Sequence, residues 1–240
     1  METDDKIKKL SEWVHSSRRI VFFGGAGVST ESGLKDFRGT DGLYAQQYDV
    51  PPERILSDSY FWVHGKEFWR FYGEKLRVDG IKPNAAHKKL AQWEKEGILS
   101  AIVTQNIDGL HQAAGSSNVY ELHGSVHRNH CTACGKFFGY DAVKQKLPDP
   151  VCECGGRIKP DVVLYGEPLD ETIWQGAVRV ISDADMLIVG GTSLTVYPAA
   201  SLIRYFRGDK LVLINKTETA SDGDALVIRE PIGRVLSRVD

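Results

Sequence analysis

Four apolar runs constrain this chain more than anything else in it: IVFF in RRIVFFGGAG (18–27), LSAIVTQN (99–106), MLIVG in ADMLIVGGTSL (184–194) and KLVLINK (210–216). Each closes on glycine, serine, threonine or asparagine, and each is unbroken rather than alternating. That is the pattern of a strand buried on both faces. Helical patterns lie between them. Ile7, Leu10 and Val14 repeat at helical spacing, and residues 59–77 (SYFWVHGKEFWRFYGEKLR) are aromatic and mostly helical in pattern. Asn84 is placed to cap AAHKKLAQWEKEG, which stops at Gly97, and TIWQGAVRVISDA and YPAASLIRYF complete the set. Apolar strands alternating with helices predict an α/β fold, a Rossmann-like parallel sheet with helices on both faces. In such sheets a ligand sits beyond the carboxyl ends of the strands.

The rhythm breaks once, at residues 128–157, where glycines and cysteines accumulate; this reads as a small insert in a larger domain. The chain has 240 residues, 42% hydrophobic and 26% charged, enough to bury a sizeable core. A net charge of −2 and a pI near 6.4 supply no basic field, so neither nucleic acid nor a membrane surface is an expected partner. The amino-terminal METDDKIKKLSEWVHSSRR has no apolar segment of signal or spanning length, and a cytoplasmic, monomeric protein is the expectation.

The polar residues at the strand ends carry the chemistry. GGAGVST (24–30) follows the first strand, where glycines admit the close approach of a pyrophosphate and a following helix N-terminus supplies N–H donors. It departs from the dehydrogenase fingerprint. Gly25 and Gly27 fit G-x-G, but Thr30 takes the third glycine position and no acidic residue ends a second strand about 20 residues on. VTQNIDGLHQAAG (103–115) crowds Gln105, Asn106, Asp108 and His111 at another strand end, where folding asks only for a turn. His123 in ELHGSVH is either a satisfied structural histidine or one with a chemical role. GTSL (191–194) and INK (214–216) offer hydroxyls, an amide and an ammonium to a ribose or adenine. All four cysteines, Cys131 and Cys134 as C-x2-C and Cys152 and Cys154 as C-x-C, form two close pairs each followed by glycine. This predicts a tetrahedral four-thiolate zinc site, structural because four thiolates leave no open position.

Taken together, GAGVS (25–29), DFRG (36–39), TQNIDGLH (104–111), ELHG (121–124), the four cysteines, KPDVVLYGE (159–167), GTSL with VYP (191–198) and LIN (213–215) resemble the sirtuins of bacterial type, the NAD-dependent protein lysine deacylases. The blocks stand in the family's order over nearly the whole chain. The resemblance implies a single catalytic unit with a Rossmann-like large domain at about 1–35, 80–127 and 158–240. A small domain would come from a helical insert at about 36–79 and the zinc ribbon at 128–157. It implies NAD as co-substrate, one structural zinc, and an acyl-lysine protein or peptide entering the cleft opposite NAD.

The implied chemistry is acyl transfer to ADP-ribose with release of nicotinamide: the acyl oxygen attacks C1′ of the nicotinamide ribose, and His123 as neutral imidazole deprotonates a ribose hydroxyl that attacks in turn. Asn106 and Asp108 join His123 in the implied catalytic set. The implied NAD contacts are Gly25, Ala26, Gly27 and Ser29, then Asp36, Phe37 and Arg38. Gln105, Asn106, Ile107 and Asp108 lie on the nicotinamide side; Gly191, Thr192, Ser193, Asn215 and Lys216 lie on the adenosine side. The peptide would add as a strand between Val163, Tyr165, Gly166 and Glu167 on one side and Leu194, Val196 and Tyr197 on the other.

Two departures stand out. Lys35 occupies a position where the family commonly has proline, which loosens the turn before Asp36. Where succinyl-preferring members carry Tyr-x-x-Arg, this chain has Tyr72 and Lys75; lysine lacks the bidentate fork of arginine. The expectation is a deacetylase with weak desuccinylase activity, or, with Tyr72 as packing and Lys75 solvated, no desuccinylase role for the pair. A protein ADP-ribosyltransferase or a desuccinylase-type sirtuin is the alternative, and a non-enzymatic nucleotide-binding module the more remote one.

Overall fold

The computed structural model describes residues 2–36, 42, 44, 47–219, 222–223 and 225–239. Phe37 and Arg38 lie outside the described residues.

Among the described residues nine strands form two sheets: β1 (Ile20–Gly24), β2 (Leu99–Thr104), β3 (Val119–Glu121), β4 (Gly124–Cys131), β5 (Phe137–Gly139), β6 (Ile158–Val162), β7 (Met186–Gly190), β8 (Lys210–Ile214) and β9 (Leu226–Ile228). The large sheet is wholly parallel, in the order β3-β2-β1-β7-β8-β9. Counting only its own strands, this is 3-2-1-4-5-6, the doubly wound order whose direction reverses between β1 and β7. A crevice opens at that switch point, beyond the carboxyl ends of the two strands. The four predicted strands are its four central ones. The three-residue edge strands β3 and β9 are too short to stand out as apolar runs.

Alternate residues of each central strand face opposite helical layers. Ile20 and Phe22 of β1, with Met186 and Ile188 of β7, pack against α1 (Thr3–His15), α5 (Ala85–Lys95) and α9 (Ile232–Leu236). Val21 and Phe23, with Leu187 and Val189, pack against α8 (Glu171–Ser182) and a 3-10 helix over Ala199–Tyr205. The helix predicted at YPAASLIRYF is thus a 3-10 helix. Asn84 caps α5 as expected, accepting from the N–H of Ala86 at 2.9 Å and of His87 at 3.4 Å, while His87 Nδ1 accepts from the Asn84 N–H. Its amide also donates to the Val28 carbonyl at 2.7 Å, which ties α5 to the glycine turn after β1.

The helical stretch at 59–77 is broken at His64 into α3 (Asp58–Val63) and α4 (Gly65–Lys75), preceded by α2 (Pro52–Ile55). These helices share a separate core with the antiparallel sheet β5-β4-β6 and with α7 (Tyr140–Lys144). Phe61, Phe68 and Trp69 meet Val126, Phe138 and Ile158 there. Truncating a fully buried aromatic such as Phe68 to alanine would cost about 3–5 kcal/mol. The core reaches beyond the cysteine insert, to Val126 on one side and Leu164 on the other.

Candidate functional site

The two central strands end in glycines that pack against each other. A Cβ on Gly27 would lie 2.7 Å from the Gly191 Cα, and one on Gly191, whose φ is +60°, would lie 2.3 Å from the Val28 nitrogen. Only glycine at both places lets the turn after β1 settle onto the turn after β7. The N–H groups of Gly25 and Gly27 donate to the carbonyls of Gly190 (3.2 Å) and Gly191 (2.8 Å), and that of Val28 to Gly25. The N–H of Ala26 is left without a chain partner among the described residues. The segment after β1 is a pair of 3-10 turns, Ala26–Val28 and Thr30–Ser32, not the α-helix that GGAGVST suggested. Donors for a phosphate here come from the turn and not from a helix terminus.

The cluster after β2 is ordered by its own hydrogen bonds. Ser29 Oγ donates to Asp108 Oδ2 at 2.7 Å and accepts from Asn106 Nδ2 at 3.0 Å. Asp108 Oδ1 takes the N–H of Leu110 at 2.9 Å, at the start of α6 (Leu110–Ala114). Burial pushes the Asp108 carboxyl up, against the lowering effect of these hydrogen bonds. Asp108 and Ser29 stand behind Asn106 and hold its amide at the cleft wall. His111 turns away from the cleft altogether. It is 1% exposed, its ring is 4.8 Å from that of fully buried His87, and neither of its nitrogens has a partner among the described residues.

His123 joins the two sheets. Leu122 anchors it in the core of the large sheet, and its carbonyl accepts the Val163 N–H at 3.0 Å. Gly124 follows with φ +74°; a Cβ there would sit 1.7 Å from the Asp161 carbonyl oxygen, so only glycine lets β4 start so close to β6. His123 Nδ1 lies 3.0 Å from the Gln105 carbonyl. A carbonyl only accepts, so Nδ1 carries the proton and Nε2 keeps its lone pair. Burial lowers the His123 pKa, with the Gln105 hydrogen bond opposing, which favours neutral imidazole at pH 7.

A cleft of about 710 Å³ runs over this switch point. Its walls bring together Gly25, Ala26, Gly27 and Asp36; Gln105, Asn106, Ile107 and His123; Gly191, Thr192, Ser193, Asn215 and Lys216; and, from the peptide set, Tyr72, Val163, Tyr165, Gly166, Glu167, Val196 and Tyr197. Ser29, Asp108, Leu194 and Lys75 are not among its walls. The exposed Lys75 has its ammonium 5.4 Å from the Tyr48 ring centroid, so it is not grouped with Tyr72 at the cleft. Leu194 packs in the large-sheet core and is the one non-glycine residue with positive φ, +55°, among those described. Gln105 Nε2 donates to Thr192 Oγ1 at 3.1 Å and Asn215 Nδ2 to the Thr192 carbonyl at 3.0 Å, linking the ends of β2, β7 and β8. Glu167 accepts from Lys159 Nζ at 3.0 Å and from the Leu164 N–H at 2.8 Å, which fixes the segment after β6.

Other walls went unnoticed in the sequence: Leu56, Leu76 and Tyr44 from the helical insert, and Glu31, Thr217, Glu230 and Ile232 near β8, β9 and α9. The Tyr44 and Tyr165 hydroxyls are 2.6 Å apart. No local pattern marks these residues; the insert and the C-terminal segment reach the cleft only through the fold.

The four cysteine sulfurs lie within 4.8 Å of one another, Cys131 to Cys154 at 3.5 Å and Cys134 to Cys152 at 3.7 Å. A tetrahedron of sulfurs about 2.3 Å from zinc has edges of about 3.8 Å, whereas a disulfide needs about 2.05 Å. The set fits a structural zinc, some way from the cleft, since none of its cysteines lines it.

A doubly wound sheet with glycine turns at its switch point, and beside them a neutral imidazole among amides, defines a dinucleotide-binding α/β protein. The model of the Sir2 family matches residues 25–198. An NAD-dependent protein deacetylase of Clostridium acetobutylicum is 58% identical over 240 residues, spanning 98% of each chain. One of Clostridium perfringens is 55% identical over 241 residues, covering 98% of this chain and 99% of that one. A solved Sir2 with a p53 peptide and NAD+ is 38% identical with a TM-score of 0.86, covering 97% of this chain and 96% of the other. The chain belongs to the Sir2 family.

Proposed function

We propose that the protein is an NAD-dependent protein-lysine deacylase, chiefly a deacetylase, that transfers the acyl group to ADP-ribose and releases nicotinamide. The observation that carries this reading is the placement of His123. Its unprotonated Nε2 belongs to a cleft residue beside Gln105 and Asn106, at the switch point where the glycine turns admit a dinucleotide. NAD supplies the electrophilic ribose carbon. The chain's part is to orient it and to move a proton. His123 acts as general base toward a ribose hydroxyl, and Asn106 positions the nicotinamide ribose, with Asp108 and Ser29 holding its amide. Ala26 and its neighbours take the pyrophosphate, and Gly191, Thr192, Ser193, Asn215 and Lys216 the adenosine side.

Relatives of the same length named NAD-dependent protein deacetylase, and a Sir2 bound to acetylated peptide, support an acyl-lysine peptide as partner. The peptide enters between 163–167 and 194–197. The Val163 N–H, held by the His123 carbonyl, fixes this segment beside the cleft, and its carbonyl is the acceptor assigned to the substrate lysine N–H. The helical insert (36–79) and cysteine ribbon (128–157) form the small domain, a reading supported by their common core. A net charge of −2 favours protein over nucleic acid as partner, and clustered free thiols suit a reducing, cytoplasmic setting for a monomer.

The test is nicotinamide release from NAD with matched acetyl-lysine and succinyl-lysine peptides, using wild type and His123→Ala. Acetyl-dependent release with deacylation lost in His123→Ala is the expected result. Wild type that binds NAD but turns over neither peptide would refute the assignment.

A further inference from the structure

One histidine of ELHGSVH belongs neither to the cleft walls nor to the cysteine site: His127. It stands in β4, which runs from Gly124, next to His123, to Cys131. This strand is not regular. Ser125 lies opposite Asp161 on β6 and Asn129 opposite the adjacent Pro160, so Val126, His127 and Arg128 are looped out as a bulge. The buried Asn129 amide closes it, donating to the carbonyls of Val126 and Phe138, each at 3.2 Å. A bulge beside a site re-aims side chains, and here it turns a run of three residues toward the large sheet.

Each of the three makes a bond there. The Val126 N–H donates to the Ile107 carbonyl at 3.0 Å, and Arg128 Nη1 to Glu121 Oε2, at the end of β3, at 2.6 Å. His127 Nε2 lies 3.0 Å from the Asp108 carbonyl. A carbonyl only accepts, so Nε2 carries the proton. The edge of the ring fills the space over Gly109, whose φ is +70° and where a Cβ would lie 2.7 Å from His127 Cδ2 and 2.9 Å from Nε2. The loop after β2 is thus pinned by its carbonyls at Ile107 and Asp108 on one side, and on the other by Ser29, which accepts from Asn106 and donates to the Asp108 carboxylate. His127 is exposed as a residue, so buried apolar surface is a small part of what it supplies.

We propose that His127 is a positioning residue for the nicotinamide half of NAD. Its Nε2–H holds the Asp108 carbonyl, and through the hydrogen bonds joining Asp108, Ser29 and Asn106 it sets the angle at which the Asn106 amide meets the nicotinamide ribose. This deepens the cleft reading given above and rests on its placement of that ribose at Asn106. The adenosine and pyrophosphate contacts belong to the ends of β1, β7 and β8, to which the bulge makes none of these bonds.

The test is calorimetric binding of NAD and of ADP, which lacks the nicotinamide ribose, to the full chain as wild type, His127→Leu and His127→Gln. Leucine keeps a side chain over Gly109 without a donor, whereas the glutamine amide can donate to the same carbonyl. His127→Leu should bind NAD about fivefold more weakly than wild type, the effect of one lost hydrogen bond, and ADP within about twofold of it. His127→Gln should bind both ligands within about twofold of wild type. If thermal unfolding shows the leucine variant to be misfolded, His127→Ala takes its place with the same expectation. Unchanged NAD affinity in His127→Leu, an equal fall in His127→Leu and His127→Gln, or an equal fall for NAD and ADP would each overturn the proposal. Asn106→Ala is measured alongside. An NAD-specific loss there with none in His127→Leu overturns the role of His127 alone; no such loss in either overturns it together with the placement of the ribose. Peptide turnover enters none of these readouts, so a failed deacylation assay is a separate result.

Discussion

The buried pair His87 and His111 makes the fold acid-sensitive in a way that one substitution should expose. Burial lowers the His87 pKa to about 4; burial, then the charge of His87, lowers that of His111 to about 3. Both are bases whose folded values lie below the unfolded value near 6.5, so protons favour the unfolded chain. Their contribution is intact above pH 6.5 and is lost as pH falls from there toward 4 and 3. Between pH 7 and 5 each histidine costs about 2 kcal/mol, and the pair about 4 kcal/mol, a large part of a typical stability of about 5–15 kcal/mol. His111→Leu removes two unpartnered buried nitrogens, so at pH 7 it should be neutral or slightly stabilising. Its stability should then fall by about 2 kcal/mol less than that of wild type between pH 7 and 5. Urea unfolding at the two pH values, followed by circular dichroism, measures this. Contributions common to both proteins cancel in the comparison, including those of the raised Asp108 carboxyl and of thiolate protonation in the zinc ribbon. Equal losses in wild type and His111→Leu, within about 0.5 kcal/mol, would show that neither burial nor the missing partners hold His111 neutral.

The same geometry sets three other outcomes. The acid limb of kcat/KM should have its midpoint below 6.5, because burial lowers the His123 pKa; a limb at or above 6.5 would assign the base elsewhere. Chelation should release one zinc per chain and lower Tm by about 6–12 °C, the shift for a loss of about 3 kcal/mol in a chain of this size, read by scanning calorimetry with metal analysis. Lys75→Ala should change the succinyl-to-acetyl ratio of kcat/KM less than about twofold, since Lys75 stands apart from Tyr72 at the cleft; a fall above about fivefold would bring its ammonium to the acyl group.

The sequence by itself determined what depends on neighbours along the chain. Unbroken apolar runs are legible because a strand buried on both faces shows no alternation, and all four central strands lie where such runs stand. Asn84 is readable as a cap because capping is a contact across three residues. The cysteine pairs are legible because metal ligands come as close doublets, and resemblance to a family points to His123, Asn106 and the glycine turns.

Tertiary structure alone decided which members of those motifs face the cleft. Gln105, Asn106, Asp108 and His111 look alike in sequence, yet the first two line the cleft, Asp108 braces Asn106 from behind through Ser29, and His111 is driven into the core against His87. It also separated Lys75 from Tyr72, since a helix presents residues three apart at slightly different angles and only packing against the ribbon settles which one turns inward. The turn after β1 is a 3-10 segment instead of an α-helix, with i to i+3 bonds from Val28 to Gly25 and from Ser29 to Ala26. It is laid against the turn after β7 by the Gly27 N–H on the Gly191 carbonyl. Side-chain direction and backbone pairing of this kind are set by contacts between segments remote in sequence, and local pattern carries no record of them.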